Sequence, residues 1–170
     1  MIKLIVIGYG RHGKDTVCEI LQNKYNFKFM SSSQFCNEKV IFPVLSAIYN
    51  YKTPEECYND RHNHRKEWYD LIANYNTNDP AKLGKDLFNE YDIYCGLRRA
   101  EELTALVEQS VCDYVIWVDA SKRHPPEDKS SCTVTPEMAD YIIDNNDDYD
   151  RLVKRVTSLI DAILESEKQK

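Results

Sequence analysis

Ile2-Lys3-Leu4-Ile5-Val6-Ile7-Gly8-Tyr9-Gly10-Arg11-His12-Gly13-Lys14-Asp15-Thr16 is the stretch on which the fold turns. Its first six residues form a short, nearly continuous apolar run, the pattern of a buried strand. Gly8, Gly10 and Gly13 then punctuate a tight loop. Apolar residues return at helical spacing with Val17, Cys18, Ile20 and Leu21, so a helix begins at the end of the loop with its N-terminus facing back toward it. Residues 8–14 match G-x-x-x-x-G-K. In that pattern backbone N–H groups and the helix dipole hold phosphate oxygens, and the lysine adds a positive charge on a flexible stem. Asp15 stands where Ser or Thr is usual, and Thr16 follows one place later.

Composition bounds what such a loop can serve. The chain has 170 residues, 42% apolar and 29% charged, which suits one soluble globular domain with a full core. No apolar stretch approaches the roughly 18 residues of a membrane helix, and the start lacks a secretory pattern; a cytoplasmic protein without membrane partners is expected. The six cysteines (18, 36, 57, 95, 112 and 132) show no C-x-x-C spacing. They read as reduced thiols, with neither a disulfide framework nor a zinc site expected. A net charge of −6 speaks against direct nucleic-acid binding, which depends on neutralising phosphates. Any polyanion handled here should be small and met by local arginines.

Outward from the loop, strand and helix patterns alternate. Phe27 to Met30 predicts a second strand, ending at Ser31-Ser32-Ser33, residues suited to helix capping. Phe35 to Ile48 carries a helical apolar face interrupted by Pro43, and Thr53-Pro54 predicts a helix start. The charged run from Asp60 leads into Trp68, Leu71, Ile72 and Tyr75, the spacing of a packed helix, with Arg61 and Arg65 four apart on one face. A helix is predicted over 79–88, a strand over 92–95, a helix over 100–109 and a second clear buried strand over 113–119. Residues 120–136 have no apolar periodicity and predict a mobile insertion. A last strand over 139–145 and an amphipathic helix over 148–165 close the chain. No repeat is visible. Such alternation implies an α/β fold: a parallel sheet of about five strands with helices on both faces. Ligands of such sheets bind beyond the carboxyl ends of the strands. The glycine loop, Ser31 to Ser33, Gly96 to Arg99 and Asp119 to Arg123 all fall on that rim.

Gly13-Lys14-Asp15-Thr16 after a strand resembles the end of the phosphate loop in bacteriophage deoxynucleoside monophosphate kinases. Asp at that place also occurs in the related phosphomevalonate kinases of animals. Ala139 to Asn145, with the helix after it, is similar to the end of dephospho-CoA kinases and of the phage enzymes, and Tyr94 to Arg99 with Glu101-Glu102-Leu103 is similar to the strand-arginine-glutamate segment between. The resemblance runs from residue 1 to about 160, in matching order, and is poor over 35–90. It implies a three-layer P-loop NTPase fold in a single domain, 1–170, with an acceptor-binding helical region over about 33–90 and a small lid over about 120–136. It also implies transfer of the γ-phosphate of ATP to a (deoxy)nucleoside monophosphate. A kinase of another phosphorylated metabolite, of phosphomevalonate or dephospho-CoA type, stays open, as does an NTP-binding or hydrolysing module.

Phosphoryl transfer needs positioning and positive charge more than covalent chemistry. Lys14 would lie along the β- and γ-phosphates, ringed by the N–H groups of residues 10–16, with Gly8, His12 and Gly13 shaping the loop and Arg11 leaning over it. Asp15 and Thr16 are the candidate Mg²⁺ ligands; Asp15 is alternatively an acceptor-positioning group. By the resemblance, Arg61 would bind the acceptor phosphate with Arg65 one turn on. Arg98, with Gly96, should grip the same phosphate or the group in transit, and Arg99 is a lesser candidate. Arg123 would act as a lid arginine, and Asn145 and Asn146 would offer backbone contacts to adenine. Ser32 and Ser33 are capping residues or acceptor contacts, and Phe35 or Trp68 would stack on a base. His62 and His64 resemble a metal pair only superficially. The partners implied are small-molecule nucleotides, with a homodimer possible.

Overall fold

In the computed structural model, which describes residues 1–170, the apolar run forms β1 (Leu4–Ile7), and every residue of it is buried. The other strands are β2 (Phe29–Ser31), β3 (Ile93–Cys95), β4 (Tyr114–Asp119) and β5 (Tyr141–Asp144). All pair in parallel, in the order β2-β3-β1-β4-β5. Leu4 sits between Ile93 and Tyr114, and Ile7 pairs with Trp117.

Side chains alternate across a strand, so β1 feeds two separate cores. Leu4 and Val6, with Ile93, Cys95, Ile116, Val118 and Ile143, face α1 (Lys14–Tyr25) and α8 (Tyr149–Lys168). These helices contribute Val17, Cys18, Ile20 and Leu21, and Leu152, Val156, Ile160 and Ile163. Ile5 and Ile7, with Tyr94, Val115 and Trp117, face the other layer. That layer holds α2 (Ser32–Cys36), α3 (Phe42–Tyr49), α4 (Pro54–Asn59), α5 (Arg65–Tyr75), α6 (Lys82–Phe88) and α7 (Ala100–Glu108). Cover on both faces is why β1, β3 and β4 read as nearly unbroken apolar runs. No helix is long and apolar enough to cross a membrane.

The topology also fixes where a ligand can enter. From β1 the chain crosses one way, to the edge strand β2; from β3 it crosses the other way, over β1, to β4. The loops leaving β1 and β3 therefore part at adjacent carboxyl ends, and a crevice opens between them.

Several predicted elements differ in detail. The helix read over 35–48 is α2, a π-helical turn over Asn37–Ile41 and then α3. Pro43 lies in the first turn of α3, directly after the π-helical turn. The charged run does not join the next helix directly: Arg61–Asn63 is a 3₁₀ turn, and α5 starts at Arg65. Phe27 is buried ahead of β2, and β5 is shorter at both ends than 139–145. Residues 120–136 are irregular as predicted but not a free flap. Cys132 and Val134 are buried, and the N–H of Thr133 donates to the carbonyl of Arg98 at 2.9 Å. All six cysteines are free thiols, five of them buried.

Glu101 and Glu102 both fall in the first turn of α7, yet Glu102 is 8% exposed and turns inward. The Tyr94 hydroxyl donates to its Oε1 at 2.6 Å. Burial, which outweighs the help of Tyr94 and the Arg99 charge, pushes the carboxyl up from 4.5 to about 7. The folded protein therefore keeps a proton that the unfolded chain releases between those values. The stability this one group contributes is fully present below about pH 4.5, is lost as pH rises to about 7, and is unchanging above. Glu102→Gln keeps an acceptor for Tyr94 and carries no charge. It is expected to be more stable than the parent at pH 8 by up to about 3 kcal/mol, and equal to it near pH 4. Melting curves across pH check this; a difference independent of pH would contradict it.

Candidate active site at the phosphate loop

The loop between β1 and α1 holds its shape through backbone constraints. Gly8 has φ +153°, and a Cβ there would lie 2.7 Å from the carbonyl oxygen of Val118 in the neighbouring strand. Gly13, with φ +100°, caps α1 in the left-handed region, and its missing Cβ leaves room for the amide of Asn145, which would otherwise be 2.3 Å away. Arg11 also takes positive φ, at 66°. His12 is fully buried and does not reach the loop's open side: its Nδ1 accepts the Ala120 N–H at 2.9 Å, and its carbonyl accepts Asn145 Nδ2 at 2.9 Å. The first turn of α1 has no side-chain cap, so its amides stay open to an anion. A parallel sheet whose first strand runs through this glycine loop into an open helix N-terminus has the architecture of a phosphate-binding loop.

Where β1 and β3 part, a cleft of about 290 Å³ forms. The loop contributes Gly10, Arg11, Lys14 and Asp15; Ser31, Ser32 and Ser33 come from the end of β2; Cys95, Gly96 and Arg98 come from the end of β3. Lys14 Nζ donates to the Tyr9 carbonyl at 2.9 Å. Burial, and next the charge of Arg98, weakens its hold on its proton, so an arriving anion would relieve this ammonium. Asp15 is exposed and accepts a long bond, 3.4 Å, from the Cys95 thiol. Ser31 caps α2 by accepting the Gln34 N–H at 3.2 Å. Gly96, at φ +84°, turns the chain so that Arg98 returns to the cleft.

Arg98 is already engaged. Glu127, from the 120–136 segment, accepts from Arg98 Nη1 with one carboxylate oxygen and from the Gly10 N–H with the other. Burial alone would raise this acid, but the Arg98 hydrogen bond and charge prevail and hold it below the usual carboxylate value.

Other predicted residues lie apart from the cleft. Phe35 is 1% exposed and packs edge-to-face on Tyr91 at 6.3 Å, so it has no free face for a base; this corrects the stacking expectation. Arg61 does not share a helix face with Arg65. It stacks 4.0 Å over the Tyr58 ring and donates to the Tyr58 carbonyl at 2.8 Å. Even so, Arg61, His62, Arg65 and Trp68 border one recess of about 320 Å³. Arg99 points elsewhere, stacking 4.7 Å over Tyr69. Thr16, half-buried on α1, does not line the cleft. Arg123 is bound to the carbonyl of Asn145 through Nε (3.0 Å) and Nη2 (2.6 Å), so that carbonyl is already an acceptor within the protein. The side chain of Asn145 rivets the phosphate loop, and that of Asn146 links Asp144 at 2.6 Å with Asp119 at 3.3 Å.

Three features carry no sequence motif. Glu127 is one. Another runs inward from the cleft, from Ser32 Oγ through the Tyr94 hydroxyl at 3.4 Å to Glu102. The third is His64, whose ring nitrogens each lie 3.0 Å from a carboxylate, of Glu67 and of Asp60. It clasps the turn that carries Arg61, and no group of three or more His, Cys, Asp or Glu in the chain is arranged to hold a metal ion.

No family model and no curated protein matches this sequence. Among solved structures, shikimate kinase from Bacteroides thetaiotaomicron superposes with a TM-score of 0.47 at 10% identity, over 95% of this chain and 98% of that one. A protein from Thermus thermophilus gives 0.45 at 14% identity, over 96% and 97%. No functional assignment follows from either.

Proposed function

We propose that this chain is an ATP-dependent kinase that transfers the γ-phosphoryl group to a (deoxy)nucleoside monophosphate, giving the diphosphate. The observation that carries the reading is the single cleft in which the phosphate loop faces the Ser31–Ser33 and Gly96–Arg98 wall. A donor phosphate on one side and an acceptor phosphate on the other meet with two cations between them, which is what phosphoryl transfer requires.

In this reading the open amides of the loop and of the first turn of α1 hold the β- and γ-phosphates. Lys14 exchanges the Tyr9 carbonyl for a phosphate oxygen. Arg98 holds the acceptor phosphate close to the γ-phosphate and steadies charge on the group in transit. Ser32 and Ser33 offer hydroxyls to the acceptor. Asp15, an exposed carboxylate in the cleft, suits a Mg²⁺ ion that arrives with the nucleotide, since Mg²⁺ commonly takes one or two carboxylates beside phosphates and water. When bound, that ion would neutralise phosphate charge. Asp15 serves equally to orient the acceptor.

The acceptor side extends from Ser33, whose Oγ is 3.1 Å from the Tyr58 hydroxyl, to Arg61 stacked on Tyr58 and the recess with Arg65 and Trp68. Arg61→Ala is therefore expected to raise the acceptor KM by about 10- to 100-fold with little change in kcat, because it removes a charged contact made before transfer. Steady-state kinetics with the acceptor varied check it; a fall in kcat at unchanged KM would move Arg61 into the transfer step. The substrate class is tested by thermal shift. Stabilisation by deoxynucleoside monophosphates, and not by dephospho-CoA or mevalonate phosphate, is expected; the reverse pattern would transfer the assignment to one of the other phosphometabolite kinases.

A further inference from the structure

We propose that Glu127 is a built-in phosphate mimic: without nucleotide, its carboxylate occupies the anion position of the loop and latches the 120–134 strap across the cleft, and the nucleotide must displace it. The inference rests on the reading of the loop as a phosphate site.

The contacts are those a phosphate would use. One oxygen of Glu127 takes the Gly10 N–H and the other takes Arg98, the cation of the facing wall. Lys14 lies close enough that the two charges influence each other. One anion thus bridges both walls, as a phosphate group in transit would. The single Gly10 N–H cannot serve Glu127 and a phosphate oxygen fully at once, and two anions held between the loop and Arg98 repel, so each weakens the other's binding.

The strap is built to hold that position and to give it up. On the loop side, Ala120 bonds to His12, Arg123 to Asn145, and the Pro125 carbonyl lies 3.3 Å from His12 Nε2. On the far side, Thr133 bonds through its N–H to the carbonyl of Arg98, Ala100 N–H bonds to Thr133 Oγ1 at 2.8 Å, and Cys132 and Val134 are buried. Between these anchors the chain makes a local turn around Asp128, with Ser130 N–H on its Oδ1 at 2.8 Å and Ser131 N–H on its carbonyl at 2.9 Å. Glu127 is the contact of this middle span with the loop. Losing it frees the middle while both ends stay tied.

Calorimetric titration of ATP and of inorganic triphosphate into the parent, Glu127→Gln and Asp128→Asn tests the proposal. Asp128→Asn is a matched control: it removes the same charge one residue away and keeps the oxygen that accepts from Ser130. If the latch is closed in most nucleotide-free molecules, Glu127→Gln should bind both ligands about three- to tenfold more tightly, because apparent affinity scales with the open fraction. Asp128→Asn should match the parent. Equal or weaker binding by Glu127→Gln, or an equal gain by Asp128→Asn, overturns the latch. A second readout needs no ligand: the Gly10 amide resonance should titrate in the carboxylate pH range in the parent and not in Glu127→Gln, and an identical response overturns the contact. If no variant binds either polyphosphate while Gly10 still reports Glu127, the phosphate-loop reading fails and the mimicry with it.

Discussion

Lys14→Ala is expected to lower kcat for phosphoryl transfer by about 10³-fold while the melting temperature moves by no more than about 3 °C. The two halves of this expectation have one cause. Lys14 Nζ is held at the phosphate loop by a single carbonyl, at 2.9 Å, and its charge is disfavoured there by burial and by Arg98. A cation kept in a position that costs the folded state is placed for a ligand, not for stability. Its removal relieves repulsion with Arg98 and forfeits one hydrogen bond, so the fold changes little. The phosphate in transit loses the charge that follows it. Kinetics and thermal melts on the same preparation give the answer: a large loss of stability would make Lys14 structural, and near-normal turnover would remove it from the site.

Arg98→Ala should come next, with a fall in kcat of about 10²- to 10³-fold. The backbone carbonyl of Arg98 would still accept the Thr133 N–H, so the strap keeps its anchor on that side. What disappears is the guanidinium between the two walls of the cleft. Arg98→Lys should restore part of the rate, because an ammonium supplies the charge without the planar fork that grips two oxygens. Full activity in Arg98→Ala would mean that the wall opposite the loop handles no phosphate. Arg98→Ala also removes a partner of Glu127, so ATP should bind this variant no more weakly than the parent while transfer is slow.

The sheet was readable because its strands are short apolar runs and each is followed by a helical pattern. With both faces covered, hydrophobicity alone marked β1 and β4. The loop was readable because three glycines and a lysine at fixed spacing have few other uses. Residues 35–75 were read less well. Pro43 looked like an interruption but opens α3, and the Asp60–Asn63 run looked helical because a 3₁₀ turn shares its composition and nearly its period. The arginines show the limit most clearly. Arg61, Arg98, Arg99 and Arg123 all read as phosphate or lid candidates, with Arg99 the lesser, and their neighbours in space set them apart: Tyr58 beneath one, Glu127 beside another, Tyr69 under the third and the Asn145 carbonyl against the last. Glu127 itself had no signal, since an acid in a polar, proline-bearing stretch normally faces water. Glu102 was hidden by helix logic: beside Glu101 in a first turn it looked like a dipole partner, and its buried partner is a tyrosine of β3, distant from the helix pattern.

Phosphorus NMR of the protein mixed with ATP, Mg²⁺ and a set of deoxynucleoside monophosphates tests the kinase assignment most directly. The β-phosphate signals of ADP and of one deoxynucleoside diphosphate should grow together in equal amounts, and neither should appear with Lys14→Ala. Release of inorganic phosphate without any acceptor diphosphate, or no change in ATP with any acceptor, would contradict it.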